Sequence, residues 1–120
     1  MVAKRILIID DESGFCDVVK DTLGEIGYHV EAPRLLASAI ARALMGNHDL
    51  IILDLRMPGI DGLDIAKLFL RRRIPTPILV ISGFIGSKVS EELKHIGIMH
   101  TLPKPSGVAQ LRHAVASALA

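Results

Sequence analysis

Ile51-Ile52-Leu53-Asp54-Leu55-Arg56-Met57-Pro58-Gly59-Ile60-Asp61-Gly62 is an apolar run that delivers one carboxylate into a turn. A short continuous run of branched apolar residues predicts a strand buried on both faces, and Pro58, Gly59 and Gly62 stop it from continuing. Asp54 is therefore expected at the carboxyl end of a central strand. In open α/β sheets that edge is where ligands bind.

A second strand of the same kind lies upstream, where Ile6-Leu7-Ile8-Ile9 runs into Asp10-Asp11-Glu12. If the two strands are parallel neighbours, Asp10, Asp11 and Asp54 converge, and like charges at that range repel unless a cation intervenes. A hard divalent ion such as Mg2+, which takes one or two carboxylates and keeps waters or phosphate oxygens elsewhere, suits such a pocket.

The remaining chain alternates helix and strand. Phe15, Val18, Val19, Thr22, Leu23 and Ile26 fall at helical spacing before Gly27, and Tyr28 to Glu31 reads as a short strand. A second helix is predicted from Leu35 to Met45, a third from Leu63 to Arg72 and a fourth from Ser87 to Ile96, with the strand Ile78-Leu79-Val80-Ile81-Ser82 between the last two. Met99 to Leu102 reads as a weak edge strand, and Val108, Leu111, Val115 and Ala118 as one face of a final helix. Parallel neighbours need crossovers of this length, so the expected fold is α/β: a doubly wound, five-stranded parallel sheet, order 2-1-3-4-5, with five flanking helices.

Composition bounds the function. The 120 residues fit one domain, 1–120, and with no Trp, one Tyr and three Phe the core must come from Ile, Leu, Val and Ala. A net charge of +1 argues against a nucleic-acid surface. Cys16 has no partner for a disulfide and is read as packing. Only four apolar residues precede Asp10 after Lys4-Arg5, too few for a signal peptide or membrane span. A cytoplasmic protein is expected. His29, His48, His95, His100 and His113 lack paired ligand spacing and are read as surface or packing residues, and Arg71-Arg72-Arg73 as a solvated, dipole-compensating helix end.

Two further strand ends add a hydroxyl, in Ile81-Ser82-Gly83, and an ammonium, in Pro103-Lys104-Pro105. A hydroxyl donor, a cation and Mg2+ around a carboxylate are the parts that stabilise phosphoryl transfer to it, with Asp54 as acceptor.

With these motifs in place, the sequence resembles the receiver domain of bacterial two-component response regulators from about Lys4 to Ala120. Asp10-Asp11-Glu12 matches the acidic pocket, Asp54 to Gly62 the phosphoacceptor strand and its turn, Ser82-Gly83 the hydroxyl and small residue, and Lys104-Pro105 the lysine. The resemblance implies a flavodoxin-like receiver fold in which Asp54 takes a phosphoryl group from a phosphohistidine. Mg2+, or Mn2+ in its place, would be held by Asp11, Asp54 and the main-chain carbonyl of Arg56, with Asp10 acting through water. Ser82, Gly83 and Lys104 would contact the phosphoryl oxygens, and the bond before Pro105 would be cis. Arg56 and Phe84 fall at the rate-tuning positions. Thr101 stands where receivers commonly carry a switching aromatic, so either the face of helix 4, strand 5 and helix 5 responds weakly or Phe84 takes over as the moving bulky group, the second being favoured. Implied partners are a sensor histidine kinase or phosphotransfer protein, and a downstream effector or an output domain beyond the last helix. Such a receiver is a signalling element that catalyses only its own phosphorylation and dephosphorylation.

Rival readings fit less well. A Mg2+-dependent phosphatase with an aspartyl nucleophile would carry a second Asp two residues after the first, where this chain has Arg56. In a nucleotide binder of flavodoxin type, Asp10-Asp11-Glu12 would repel the phosphate its first loop must cradle. A receiver that is never phosphorylated would not need the acids, hydroxyl and lysine together.

Overall fold

The computed structural model describes residues 2–120. Strands β1 (Arg5–Ile9), β2 (His29–Glu31), β3 (Leu50–Asp54), β6 (Ile78–Ser82) and β7 (His100–Pro103) form a parallel sheet in the order β2-β1-β3-β6-β7. Helices α1 (Ser13–Gly24), α2 (Leu36–Leu44), α3 (Gly62–Arg71), α4 (Ser87–His95) and α5 (Val108–Leu119) make the crossovers. With the small ribbon of β4 (Arg56–Met57) and β5 (Ile60–Asp61) set aside, this is the expected 2-1-3-4-5 sheet.

Alternation along the strands builds a core on each face. Leu7, Ile9, Ile51, Leu53 and Val80 pack against α2, α3 and α4, where Phe69 is fully buried. Ile6, Ile8, Leu50, Ile52, Leu79 and Ile81 pack against α1 and α5. All five residues of β3 are buried, as a central strand sandwiched by helices requires. Each such aliphatic side chain contributes up to about 1.5–3 kcal/mol, enough to fix the register that places Asp54 at the sheet edge.

Three expectations are corrected. Val18 and Ile26 are exposed, because the buried stripe of α1 runs through Cys16, Val19, Thr22 and Leu23: Val18 is about 100° round from Val19, and Ile26 lies past the helix end. Val108, in the first turn of α5, is also exposed. The β4–β5 ribbon, pairing Arg56 with Asp61 and Met57 with Ile60, was invisible because two-residue strands have no periodicity. Helix and strand limits otherwise fall within one residue or so of those expected.

Helices α1, α3 and α4 end alike. The amides of Gly27 and Tyr28 return to Gly24 and Leu23, those of Arg73 and Ile74 to Leu70 and Phe69, and those of Gly97 and Ile98 to Lys94 and Leu93. The first residue of each pair is left-handed, which suits Gly27 and Gly97; Arg73 adopts the same conformation at φ 54° with a side chain attached, a cost of about 1 kcal/mol.

Candidate functional site

Four strands of the sheet end at one edge. Asp10 follows β1, Asp54 closes β3, Ser82 closes β6 and Lys104 follows β7, and pairing of Asp54 with Ile81 and of Ser82 with Pro103 fixes their depth. The chain leaves β3 through a tight turn in which the Gly62 amide donates to the Leu55 carbonyl at 2.9 Å. A Cβ on Gly62 would lie 2.5 Å from the Asp54 carbonyl oxygen, so only glycine lets α3 start this close to the strand. Asp61 caps α3 by accepting from the Leu63 amide at 2.9 Å.

Lys104 is the hub of the site. Its Nζ donates to Asp10 Oδ2 at 2.7 Å, to Glu12 Oε1 at 3.2 Å and to Asp54 Oδ2 at 3.3 Å, and it stands 4.3 Å from the centre of the Phe15 ring. Burial alone would lower its pKa, but the bond to Asp10 and the fields of Asp10 and Asp54 outweigh it and hold the ammonium well above its usual range. Burial is also the leading influence on Asp10 and raises its carboxyl, against the Lys104 bond and the Glu12 amide that donates to Oδ1 at 2.9 Å.

Asp54 is almost fully buried; its Oδ1 accepts from the Arg56 amide at 3.1 Å. Arg56 itself reaches outward, its guanidinium 5.8 Å from the centre of the exposed Phe84 ring. Ser82 is completely buried and its Oγ has no hydrogen-bond partner among the described residues. Gly83 is exposed with open space where a Cβ would be, Thr101 is exposed on β7, and the Lys104-Pro105 bond is cis.

The expected meeting of Asp10, Asp11 and Asp54 is only partly what the structure contains. Carboxylate oxygens of Asp10, Glu12 and Asp54 lie within 4.8 Å of one another, whereas Asp11 is exposed and lines a small recess with Pro33 and Arg34. The Asx turn made by Asp10 and the Glu12 amide puts residues two apart on one side and turns Asp11 away. Glu12, read only as part of a motif, and Phe15, not read as part of the site, are additions from the structure. The position of Glu12 two residues after Asp10 was a usable signal; Phe15 gave none. An all-oxygen set of three carboxylates beside a bulk-accessible edge fits a hard divalent cation. The arrangement as a whole can present a carboxylate nucleophile to an anionic group that Lys104 and Ser82 then contact.

Known proteins resemble this chain in sequence and in fold. The family described as response regulator receiver domain matches residues 6–116. The response regulator protein PilR of Pseudomonas aeruginosa is 28% identical over 119 residues, spanning 99% of this chain and 27% of PilR. The transcriptional regulatory protein PdtaR of Mycobacterium tuberculosis is 31% identical over 115 residues, spanning 95% of this chain and 56% of PdtaR. The chain thus covers between about a quarter and about a half of these relatives. Among solved structures, the chemotaxis protein CheY4 of Vibrio cholerae aligns with a TM-score of 0.88 at 28% identity, covering 98% of this chain and all of that one. The receiver domain of a LuxO repressor protein from Vibrio parahaemolyticus, at 24% identity, shares the fold with a TM-score of 0.89 over 98% of this chain and 91% of its own.

Proposed function

The chain belongs to the response regulator receiver domain family, and we propose that residues 1–120 act as one phosphoacceptor domain in which Asp54 takes a phosphoryl group from a phosphohistidine on a sensor histidine kinase or phosphotransfer protein. The observation that carries this reading is Ser82. A fully buried hydroxyl without a partner costs about 1–3 kcal/mol, and a phosphoryl oxygen on the neighbouring strand end would supply the missing acceptor.

The chemistry follows from the side chains. An Asp54 carboxylate oxygen attacks phosphorus in line, the P–N bond to the donor imidazole breaks, and its electron pair returns to the ring. The Lys104 ammonium, held charged by its acidic neighbours, pairs with the transferred oxygens, while Ser82 donates its hydroxyl. Asp10 and Asp54, with the main-chain carbonyl of Arg56 and either Glu12, which already lies beside them, or an Asp11 side chain turned inward from its exposed position, would hold Mg2+, or Mn2+ in its place. When bound, the ion supplies positive charge against the crowded carboxylates and the incoming phosphoryl group. Thr101 offers too little bulk to serve as a buried aromatic switch, so the readout passes to the Phe84 loop and from there to an effector protein or output domain.

Incubation with a small acyl phosphate and Mg2+ tests the reading. One phosphoryl group per chain, absent from the Asp54→Asn variant and reduced in Ser82→Ala, is expected. Continuous turnover of the acyl phosphate without a covalent adduct would identify a phosphatase instead, and undiminished incorporation in Asp54→Asn would refute the assignment of the acceptor.

A further inference from the structure

Lys104 is held by more than carboxylates. Its ammonium has three N–H donors, and Asp10, Glu12 and Asp54 accept from it at 2.7, 3.2 and 3.3 Å. The Phe15 ring, with its centre 4.3 Å from Nζ, attracts the same charge without taking a conventional hydrogen bond. With the Lys104 side chain only 12% exposed, what the ammonium gives up in hydration must be returned by these neighbours.

Phe15 reaches Lys104 because of where α1 starts. The Glu12 carbonyl accepts the first helical bond, from the Cys16 amide at 3.0 Å, so Glu12 and Phe15 are three residues apart on one side of the helix start, and both meet the lysine. Packing alone does not call for an aromatic ring here. Phe15 is only partly buried, and Val18, Val19, Pro103 and Leu111 share with it a recess of about 40 Å3 beside Lys104, an aliphatic surround that a leucine would suit as well. Of the three Phe in the chain, Phe69 fills the core, whereas Phe15 and Phe84 each stand by a cationic side chain at the acceptor edge.

The two kinds of neighbour act differently when a phosphoryl group arrives on Asp54. The N–H donors of Lys104 must then leave carboxylate oxygens for phosphoryl oxygens, and every carboxylate bond opposes the exchange. A ring occupies no N–H, and its pull on the charge varies little as the ammonium turns about the Cε–Nζ bond. We propose that Phe15 is a positioning residue for phosphoryl transfer: it keeps the Lys104 ammonium at the acceptor edge and shielded from water while its donors exchange Glu12 and Asp10 for the oxygens of the transferred group. The role rests on Asp54 as phosphoacceptor and extends that reading to a side chain that acts only through Lys104.

The test compares the parent with Phe15→Leu, which keeps an apolar side chain, and Phe15→Tyr, which keeps the ring, all with acetyl phosphate and Mg2+. Incorporation should be about threefold or more slower in Phe15→Leu and within about twofold of the parent in Phe15→Tyr. In proton NMR spectra the ring current should place the Lys104 ε-methylene resonances upfield of those of the other lysines. That offset should vanish in Phe15→Leu and persist in the parent when beryllium fluoride and Mg2+ occupy the site. The beryllium fluoride measurement uses the parent alone, so it stands whatever the fold of the variants. Equal rates in the parent and Phe15→Leu, failure of Phe15→Tyr to keep the rate, or an offset lost with beryllium fluoride would each overturn the role of Phe15 while leaving Asp54 as acceptor. No incorporation in any of the three proteins would instead remove the phosphoacceptor reading, and this role with it.

Discussion

The Arg56 guanidinium carbon lies 5.8 Å from the centre of the Phe84 ring, so the loops that leave the acceptor strand and the hydroxyl strand touch each other. Such an exposed cation–π contact is worth about 0.5–1 kcal/mol, enough to bias both loops toward one arrangement. Neither group can orient an attacking water as an amide or carboxylate does. We expect a long phosphoryl lifetime that shortens about threefold or more in Phe84→Glu and Arg56→Asn. Decay of the labelled protein in a chase experiment measures this, and faster decay in the parent than in either variant would refute it.

Lys104 is the cation shared by Asp10, Glu12 and Asp54. Replacing it with Met leaves three carboxylates crowded without compensation, and a loss on the order of 2 kcal/mol is expected in the absence of divalent ions. Added Mg2+ should restore part of that stability by linkage. Urea unfolding with and without MgCl2 reads both effects; a variant as stable as the parent in chelator would contradict the role given to Lys104.

Two acids compete to be the third metal ligand. Glu12 is near the other two but is bonded to Lys104 and has a side chain 64% exposed, so recruiting it costs an existing interaction and rotamer freedom. Asp11 is shorter, directly follows Asp10 and has no salt bridge to give up among the described residues. Mg2+ affinity, followed by titration calorimetry, should therefore fall more in Asp11→Ala than in Glu12→Gln, and the reverse order would assign the site to Glu12.

Much of this was legible beforehand, for a physical reason. Strands buried on both faces must be continuous apolar runs, so β1, β3 and β6 announced themselves, and the residues at their ends followed by position. Side-chain direction in irregular segments carries no such pattern, which is why Asp11 was expected where Glu12 stands. Gly62 was read as a turn former, whereas its role is to let α3 approach the Asp54 carbonyl. Gly62→Ala should accordingly cost about 2–4 kcal/mol in chemical denaturation, far more than a Gly-to-Ala change at exposed Gly14, where a Cβ meets nothing. Equal losses at the two sites would refute the steric argument.

Glu31 was equally silent in the sequence, because three of its four partners, Arg5, Arg42 and His48, come from other segments of the chain. Its carboxylate lies 2.8 Å from Arg5 Nη2 and 2.6 Å from Nε2 of the buried His48, with Arg42 and His29 at 3.8 Å. The His48 contact lowers the Glu31 pKa most, burial works the other way, and Arg5 adds to the lowering, leaving it at about 2 against an ordinary 4.5. A carboxyl lowered on folding adds stability that is fully present above the unfolded value and is lost as pH falls from there through the folded value. With the side chain 19% exposed and partly screened, that contribution is about 1–2 kcal/mol. Glu31→Gln should therefore be less stable than the parent by this amount at pH 6 to 7, and the gap should close as pH is lowered from about 4.5 toward 2. Unfolding curves of both proteins across that range provide the measurement, and a gap that stayed constant or widened on acidification would show that Glu31 does not act through its charge.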